Sequence, residues 1–228
     1  MRLLSMNRKS LSTFTARVMT GFVFGTVFWA AYFFLSSLWF TGLLAIIAAI
    51  IVIFEWKNLY NPMTVWFWIF LPIYPVLPFL LLIYLNHMPA YHILIFYLFV
   101  LAFTHDTGAY IIGSLFGKHK ILPAISPKKS WEGFLGGYIS ALVSVFIIFY
   151  ERCVNCKSWL FMAIFTLIAC AIFVVGDLVE SRMKRRAGIK DSGNLLPGHG
   201  GFLDRFDGIL FAAFFVYLFR NYLITFLV

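Results

Sequence analysis

A bundle of helices threaded repeatedly through a membrane, all-α and polytopic, is the fold class this sequence predicts, and three observations predict it. Hydrophobic residues make up 62% of the 228 positions and charged residues only 12%, too few polar groups to coat a soluble domain of this length. The apolar runs reach the roughly 20 residues that a helix needs to cross a bilayer. Those runs are continuous rather than alternating, which argues against a β-barrel.

Element by element, the chain opens on MRLLSMNRKSLSTFTARV, which is basic and polar. The apolar run after it is long enough to stay in the membrane, so no cleavable leader is expected. Seven spans are predicted, at 18–36, 38–55, 64–85, 91–112, 132–150, 158–178 and 205–227. The first two meet at Ser36 and Ser37 and should form a hairpin. The third carries Pro72, Pro75 and Pro78; each removes a backbone donor, so this span should be bent or broken. No internal repeat or low-complexity tail interrupts the series, and residues 1–228 read as one membrane-embedded domain.

Net charge is +9. In a membrane protein such a balance marks basic loops held on the cytoplasmic side rather than a nucleic-acid surface, and anionic headgroups or a polyphosphate substrate can share it. With the N-terminus inside, Arg2, Arg8, Lys9, Arg17, Lys57, Lys118, Lys120, Lys128, Lys129, Arg182, Lys184, Arg185, Arg186, Lys190 and Arg205 fall inside, and Arg152 and Lys157 outside. Arg220 lies within the last span and can snorkel outward. The bias predicts N-in and C-out. Cys170 reads as packing within an apolar run. Cys153 and Cys156 form a lone CxxC; zinc would want a second pair, and a local disulfide would need an oxidising compartment.

The acids are more telling. Glu55, Asp106, Glu132, Asp177, Glu180, Asp191, Asp204 and Asp207 all fall on the inner half, and only Glu151 lies outside. Acids contribute little to topology, and ionisable groups at membrane depth default to a functional reading. Asp204 and Asp207 are i,i+3; Asp177, Ser181 and Lys184 are spaced i,i+4 and i,i+7, so each set shares a helix face. Paired carboxylates repel unless a cation lies between them. Oxygen ligands beside phosphate suit Mg²⁺, and a metal bridging phosphates would explain why acids stand beside so many bases. Lys128, Lys129, Lys184, Arg185, Arg186 and Lys190 supply the phosphate-binding half, although a basic cluster alone reads as a plain headgroup contact. Gly193, Gly198, Gly200 and Gly201 let the 191–201 loop approach a ligand, and the amides opening the last span point to the same place. His199 is a candidate phosphate ligand or proton carrier, or a capping residue. Together these describe a polyphosphate site at the cytoplasmic interface. An embedded enzyme with such a site should take a lipid as its other substrate, for phosphoryl or nucleotidyl transfer.

Ser181, Lys184, Arg185, Lys190, Asp191, His199, Gly200, Gly201, Asp204, Arg205 and Asp207 closely resemble, in order and spacing, the signature of the phosphatidate cytidylyltransferases, or CDP-diacylglycerol synthases. The stretch HDTGAYIIGSLFGKHK…ISPKKSWEGFLGG and the Gly176–Asp177 pair are similar to that family's upstream blocks, so the resemblance covers about the C-terminal three-fifths. It implies transfer of CMP from CTP to phosphatidic acid, giving CDP-diacylglycerol and pyrophosphate. It implies Mg²⁺, alone or paired with a monovalent cation such as K⁺, with Asp177, Asp191, Asp204 and Asp207 as candidate ligands or supports and Asp106 as a further candidate; it also implies membrane lipids as surroundings, and a homodimer in many members. The implied catalytic residues are Asp177, Lys184, Lys190, Asp204 and Asp207. Ser181, Arg185, His199, Gly200, Gly201 and Arg205 would join Lys184 and Lys190 around the nucleotide's phosphates, with Lys128 and Lys129 as helpers. The implied location is the plasma (bacterial inner) membrane with the site facing the cytoplasm. The chain is short for the family at its N-terminus, and His105 stands where a small residue is expected. The rival readings are a CTP-dependent lipid kinase and a transporter with intramembrane carboxylates; the full HGGxxDRxD run and the one-sided acids disfavour them.

Overall fold

The computed structural model describes residues 21, 23, 25–150, 156–196 and 200–227. A first apolar helix, α1, covers Gly25–Phe34. Extended backbone at Ser36 turns the chain into α2, Ser37–Leu59. Phe28 meets Phe40 edge-on across this turn, centroids 5.6 Å apart, so the expected hairpin forms. α3, Val65–His87, opens over Pro72–Val76, where Tyr74 leaves helical geometry at φ −151°, ψ 111°. The bend sits where the prolines remove their donors. A similar widened turn spans Ile51–Glu55 in α2.

α4, His92–Phe116, is 25 residues long. An antiparallel two-stranded hairpin follows, β1 Lys120–Leu122 and β2 Ser126–Ser130. Ser130 ends it and caps α5, Trp131–Phe149, its Oγ accepting from Gly133 N at 3.1 Å. α4 and α5 lie nearly backbone to backbone: a Cβ on Gly136 would stand 2.4 Å from Ile112 Cβ, so only glycine permits this approach. α6, Cys156–Arg186, runs 31 residues; α7 is Leu203–Leu218 and α8 is Arg220–Leu227.

Five of these helices, α2 to α6, are long and apolar enough to cross a membrane. The expected first and last spans differ from the others. Among the described residues α1 is the shorter apolar piece Gly25–Phe34, and the last span is interrupted at Phe219, where φ −98°, ψ 14° divides α7 from α8. Three helices also outrun their expected spans on the acidic side, α2 to Leu59, α4 to Phe116 and α6 to Arg186. Hydropathy sees where a helix leaves the lipid, whereas the helix itself continues until its capping groups fail. The core is aromatic. Phe28 of α1 packs on Phe99 of α4 at 4.1 Å, Phe99 on Phe206 of α7 at 5.9 Å, and Phe206 on Phe79 of α3 at 5.5 Å. This line of rings locks α7, and with it the acids of its first turn, into the middle of the bundle. Cys170 is free and buried, as packing requires. Cys153 lies outside the described residues.

Candidate active site

The end of α6 carries Asp177, Glu180, Ser181 and Lys184 within two helical turns, so their side chains rise on one side. Ser181 Oγ donates to Asp177 Oδ1 at 3.1 Å. Lys184 Nζ donates to Glu180 Oε2 at 2.7 Å and to Asp204 Oδ1 at 2.6 Å. Lys184 is buried and Glu180 fully so; their pairing offsets part of what burial costs the two groups. Lys184, expected to hold phosphate, is in this geometry the internal tie between α6 and α7.

The loop into α7 returns to that tie. Asp204 Oδ2 accepts from Ser192 N at 2.9 Å, Ser192 Oγ at 2.9 Å and Gly201 N at 2.8 Å. Gly200 makes this return possible: its φ is +83°, and a Cβ there would stand 2.6 Å from Asp204 Oδ2. Behind Asp204 lies Glu55, fully buried at the end of the widened turn of α2. Its Oε1 accepts from Phe202 N and its Oε2 from Leu203 N, both at 2.7 Å, and Ser192 Oγ donates to Oε2 at 3.1 Å. Asn58 Nδ2 closes the arrangement on Ser192 O at 2.8 Å. These amides were expected to cradle a ligand's phosphate. Instead the anion at the positive end of α7 is the protein's own: Glu55 and Asp204 already occupy the donors. Gly200 and Gly201 serve their approach.

Beside this sealed arrangement lies a different one. Asp177, Glu180 and Asp207 each present a carboxylate oxygen within 4.8 Å of the others. Glu180 Oε1 is buried there without a hydrogen-bond partner. Lys129 reaches in from β2 and pairs with Asp177 Oδ2. The group opens onto a cleft of about 450 Å³ between α4, the hairpin, α5, α6 and α7. Phe103, Phe134, Phe173 and Ile209 make one part of its lining apolar; Lys128, Lys129, Asp106, Asp177, Asp207 and Arg205 make another part charged. Three clustered carboxylates, one with an orphaned buried oxygen, fit a divalent cation: an ion relieves their mutual repulsion, and the cleft leaves room for water and phosphate oxygens as its other ligands.

Of the expected metal ligands, Asp177 and Asp207 belong to this group and Glu180 joins them. Asp204 lines the same cleft, but both its oxygens are engaged by Lys184, Ser192 and Gly201. Asp106 lines the cleft from α4, largely exposed, and Asp191 is exposed outside the group. Among the expected phosphate residues, Lys128, Lys129 and Arg205 line the cleft. Lys190 and Arg185 are exposed beyond it, Arg185 donating to Ile189 O at 3.0 Å. His199 lies outside the described residues. Ser181 is buried against Asp177. His105, the unexpected large residue, stacks on Phe173 in the cleft wall. Sequence reasoning counted Glu180 among the gathered acids but not among the metal ligands, although its i,i+3 spacing from Asp177 and i,i+4 spacing from Lys184 could have placed it there. Glu55 and Ser192 carried no such signal; Glu55 meets its partner Phe202 across 147 positions.

The sequence model described as the cytidylyltransferase family matches residues 2–223. The chain belongs to that family. Among its relatives is the phosphatidate cytidylyltransferase of Staphylococcus haemolyticus (strain JCSC1435), 49% identical over 117 residues, which are 51% of this chain and 45% of that protein. The phosphatidate cytidylyltransferase of Haemophilus influenzae (strain ATCC 51907 / DSM 11121 / KW20 / Rd) is 45% identical over 140 residues, 59% of this chain and 48% of that protein. The match spans about half the length of these relatives. Membership of the cytidylyltransferase family agrees with the resemblance that the signature residues carried.

Proposed function

We propose that this cytidylyltransferase-family chain transfers CMP from CTP to phosphatidate, at the cytoplasmic face of the plasma (bacterial inner) membrane. The observation that carries this reading is the cleft: an acid group fit for a divalent cation, basic side chains beside it, and an aromatic lining continuous with the helices. A nucleotide alone would not need the apolar part, and a lipid alone would not need the acids. The names of the relatives and the inward bias of lysine and arginine support the reading.

In the reaction a phosphate oxygen of phosphatidate attacks the α-phosphorus of CTP. One P–O bond forms, the bond to the β-phosphate oxygen breaks, and pyrophosphate leaves with that electron pair. The attacking phosphate is already anionic, so no general base is needed. Lys128, Lys129 and Arg205 hold phosphate oxygens and set the line of attack. Phe103, Phe134 and Phe173 receive the glycerol and acyl end and keep bulk water away. Asp177, Glu180 and Asp207 would hold Mg²⁺, alone or beside a monovalent cation, which supplies charge neutralisation of the triphosphate and of departing pyrophosphate. The sealed pair Asp204–Lys184 keeps α6 and α7 in register behind those acids.

The test is direct. Purified protein in detergent is given phosphatidate, labelled CTP and Mg²⁺. Label entering the lipid phase with an equal amount of pyrophosphate, abolished by EDTA, is the expected result. Label absent from lipid while a lipid alcohol provokes CDP release would replace this reading with a kinase.

A further inference from the structure

Lys129 occupies a place that its neighbours would give to a metal ion. Its ammonium contacts Asp177 Oδ2, an oxygen of the acid group. Its side chain is 23% exposed and that of Asp177 34%, so ions and nucleotide can reach both. The second ammonium of the region, that of Lys184, lies deeper and binds Glu180 and Asp204. Glu180 Oε1 takes no donor from either lysine. The inner positive charge is therefore locked, and the outer one is held by a single pair at a cleft mouth.

The two lysines also differ in what carries them. Lys184 rises from the long helix α6. Lys129 stands on β2 of an exposed two-stranded hairpin, next to Lys128 and across the cleft from Arg205. A lysine is a compact charge on a stem of four methylenes. Its ammonium and a divalent ion cannot both rest against Asp177 without strong mutual repulsion at close range. When one enters, the other must leave, and the nearest unsatisfied negative charge is then a phosphate in the same cleft.

We propose that Lys129 is an exchangeable counter-ion: it neutralises Asp177 while the acid group holds no metal, and on metal entry it moves to the triphosphate. This rests on the reading of the cleft given above. It makes metal and nucleotide cooperate, because the ion both fills its site and frees a phosphate ligand. Asp177 is screened meanwhile, so the acid group does not repel the incoming nucleotide. Lys129 thereby acts as a positioning residue for the metal and as a direct contact for the phosphate.

The experiment separates the two places. Mn²⁺ binding to the detergent-solubilised protein is followed by electron paramagnetic resonance, first without nucleotide or lipid. Lys129→Met removes the competing charge and keeps the stem, so Mn²⁺ should bind about tenfold more tightly, as expected for linked binding steps. Lys129→Arg keeps the charge and should hold Mn²⁺ affinity near that of the unaltered protein, which also shows that an intact hairpin is not the variable. CTP is then added: it should tighten Mn²⁺ binding in the unaltered protein and much less in Lys129→Met. Unchanged or weaker Mn²⁺ binding in Lys129→Met would overturn the proposal, as would equal enhancement by CTP in both proteins. The first titration needs no substrate, so it decides the exchange even if the protein fails to use phosphatidate; failure of turnover in the unaltered protein would count against the functional reading alone.

Discussion

The two tiers of the acidic site, side by side in the bundle, are built on opposite principles. In the inner tier Glu55 and Asp204 are saturated: amides of Gly201, Phe202 and Leu203, both donors of Ser192, and Lys184 all point at them. In the outer tier Asp177, Glu180 and Asp207 crowd together with an orphaned oxygen and one half-buried ammonium, that of Lys129. A saturated carboxylate has no capacity left for a ligand and works as a staple. An undersatisfied group stores unfavourable electrostatics that a cation relieves. Hydrogen-bond accounting, more than identity as aspartate or glutamate, separates architecture from chemistry here.

Substitutions can break this division. The largest effect is expected for Asp207→Asn: turnover should fall on the order of a thousandfold, with the thermal midpoint in detergent held or raised, since repulsion among the carboxylates is reduced. A midpoint that collapses would move Asp207 into the inner tier. Glu55→Ala should do the reverse in emphasis. It strips partners from the buried amides of Phe202 and Leu203 and should cost roughly 2–5 kcal/mol of stability. A lowered unfolding midpoint is the reading that checks it, and unchanged melting would mean that α7 does not depend on its borrowed cap.

Asp204→Asn sharpens the contrast, because it acts on the tie itself. It leaves buried Lys184 with one carboxylate, at a cost of about 3 kcal/mol or more, and turnover should be nearly lost with it. Melting and turnover measured on the same sample should therefore fall together, unlike in Asp207→Asn. Gly200→Ala should show the smallest of these effects, about 1–2 kcal/mol from a left-handed backbone and a Cβ pressed on Asp204. Its thermal midpoint should drop while the KM for CTP stays within about twofold, as befits a purely backbone effect; a larger rise in that KM would bring the loop back into nucleotide binding.

Much was legible from the sequence. The five long spans, the hairpin of α1 and α2 and the bend of α3 follow from apolar run length, a short polar joint and three prolines, all local causes. The gathering of acids, the pairing of Asp177 with Asp207 in one site and the lysines of β2 at its edge were likewise readable, because charge at membrane depth is costly enough to signal use. The interruption at Phe219 was not, since nothing in an apolar run of constant hydropathy marks where packing ends a helix.

What only the tertiary structure decided is which acid does what. Asp204 and Asp207 look equivalent in FLDRFDG, yet one faces a ring of donors and the other a cleft. Glu55 becomes the cap of α7 across 147 positions, and Glu180 becomes the third carboxylate of the outer group. Sequence determines which charges are present and on which helical face each rises, because those depend on composition and on a 3.6-residue period. Whether a charge is saturated depends on donors brought from other helices, and that is set only when the bundle closes.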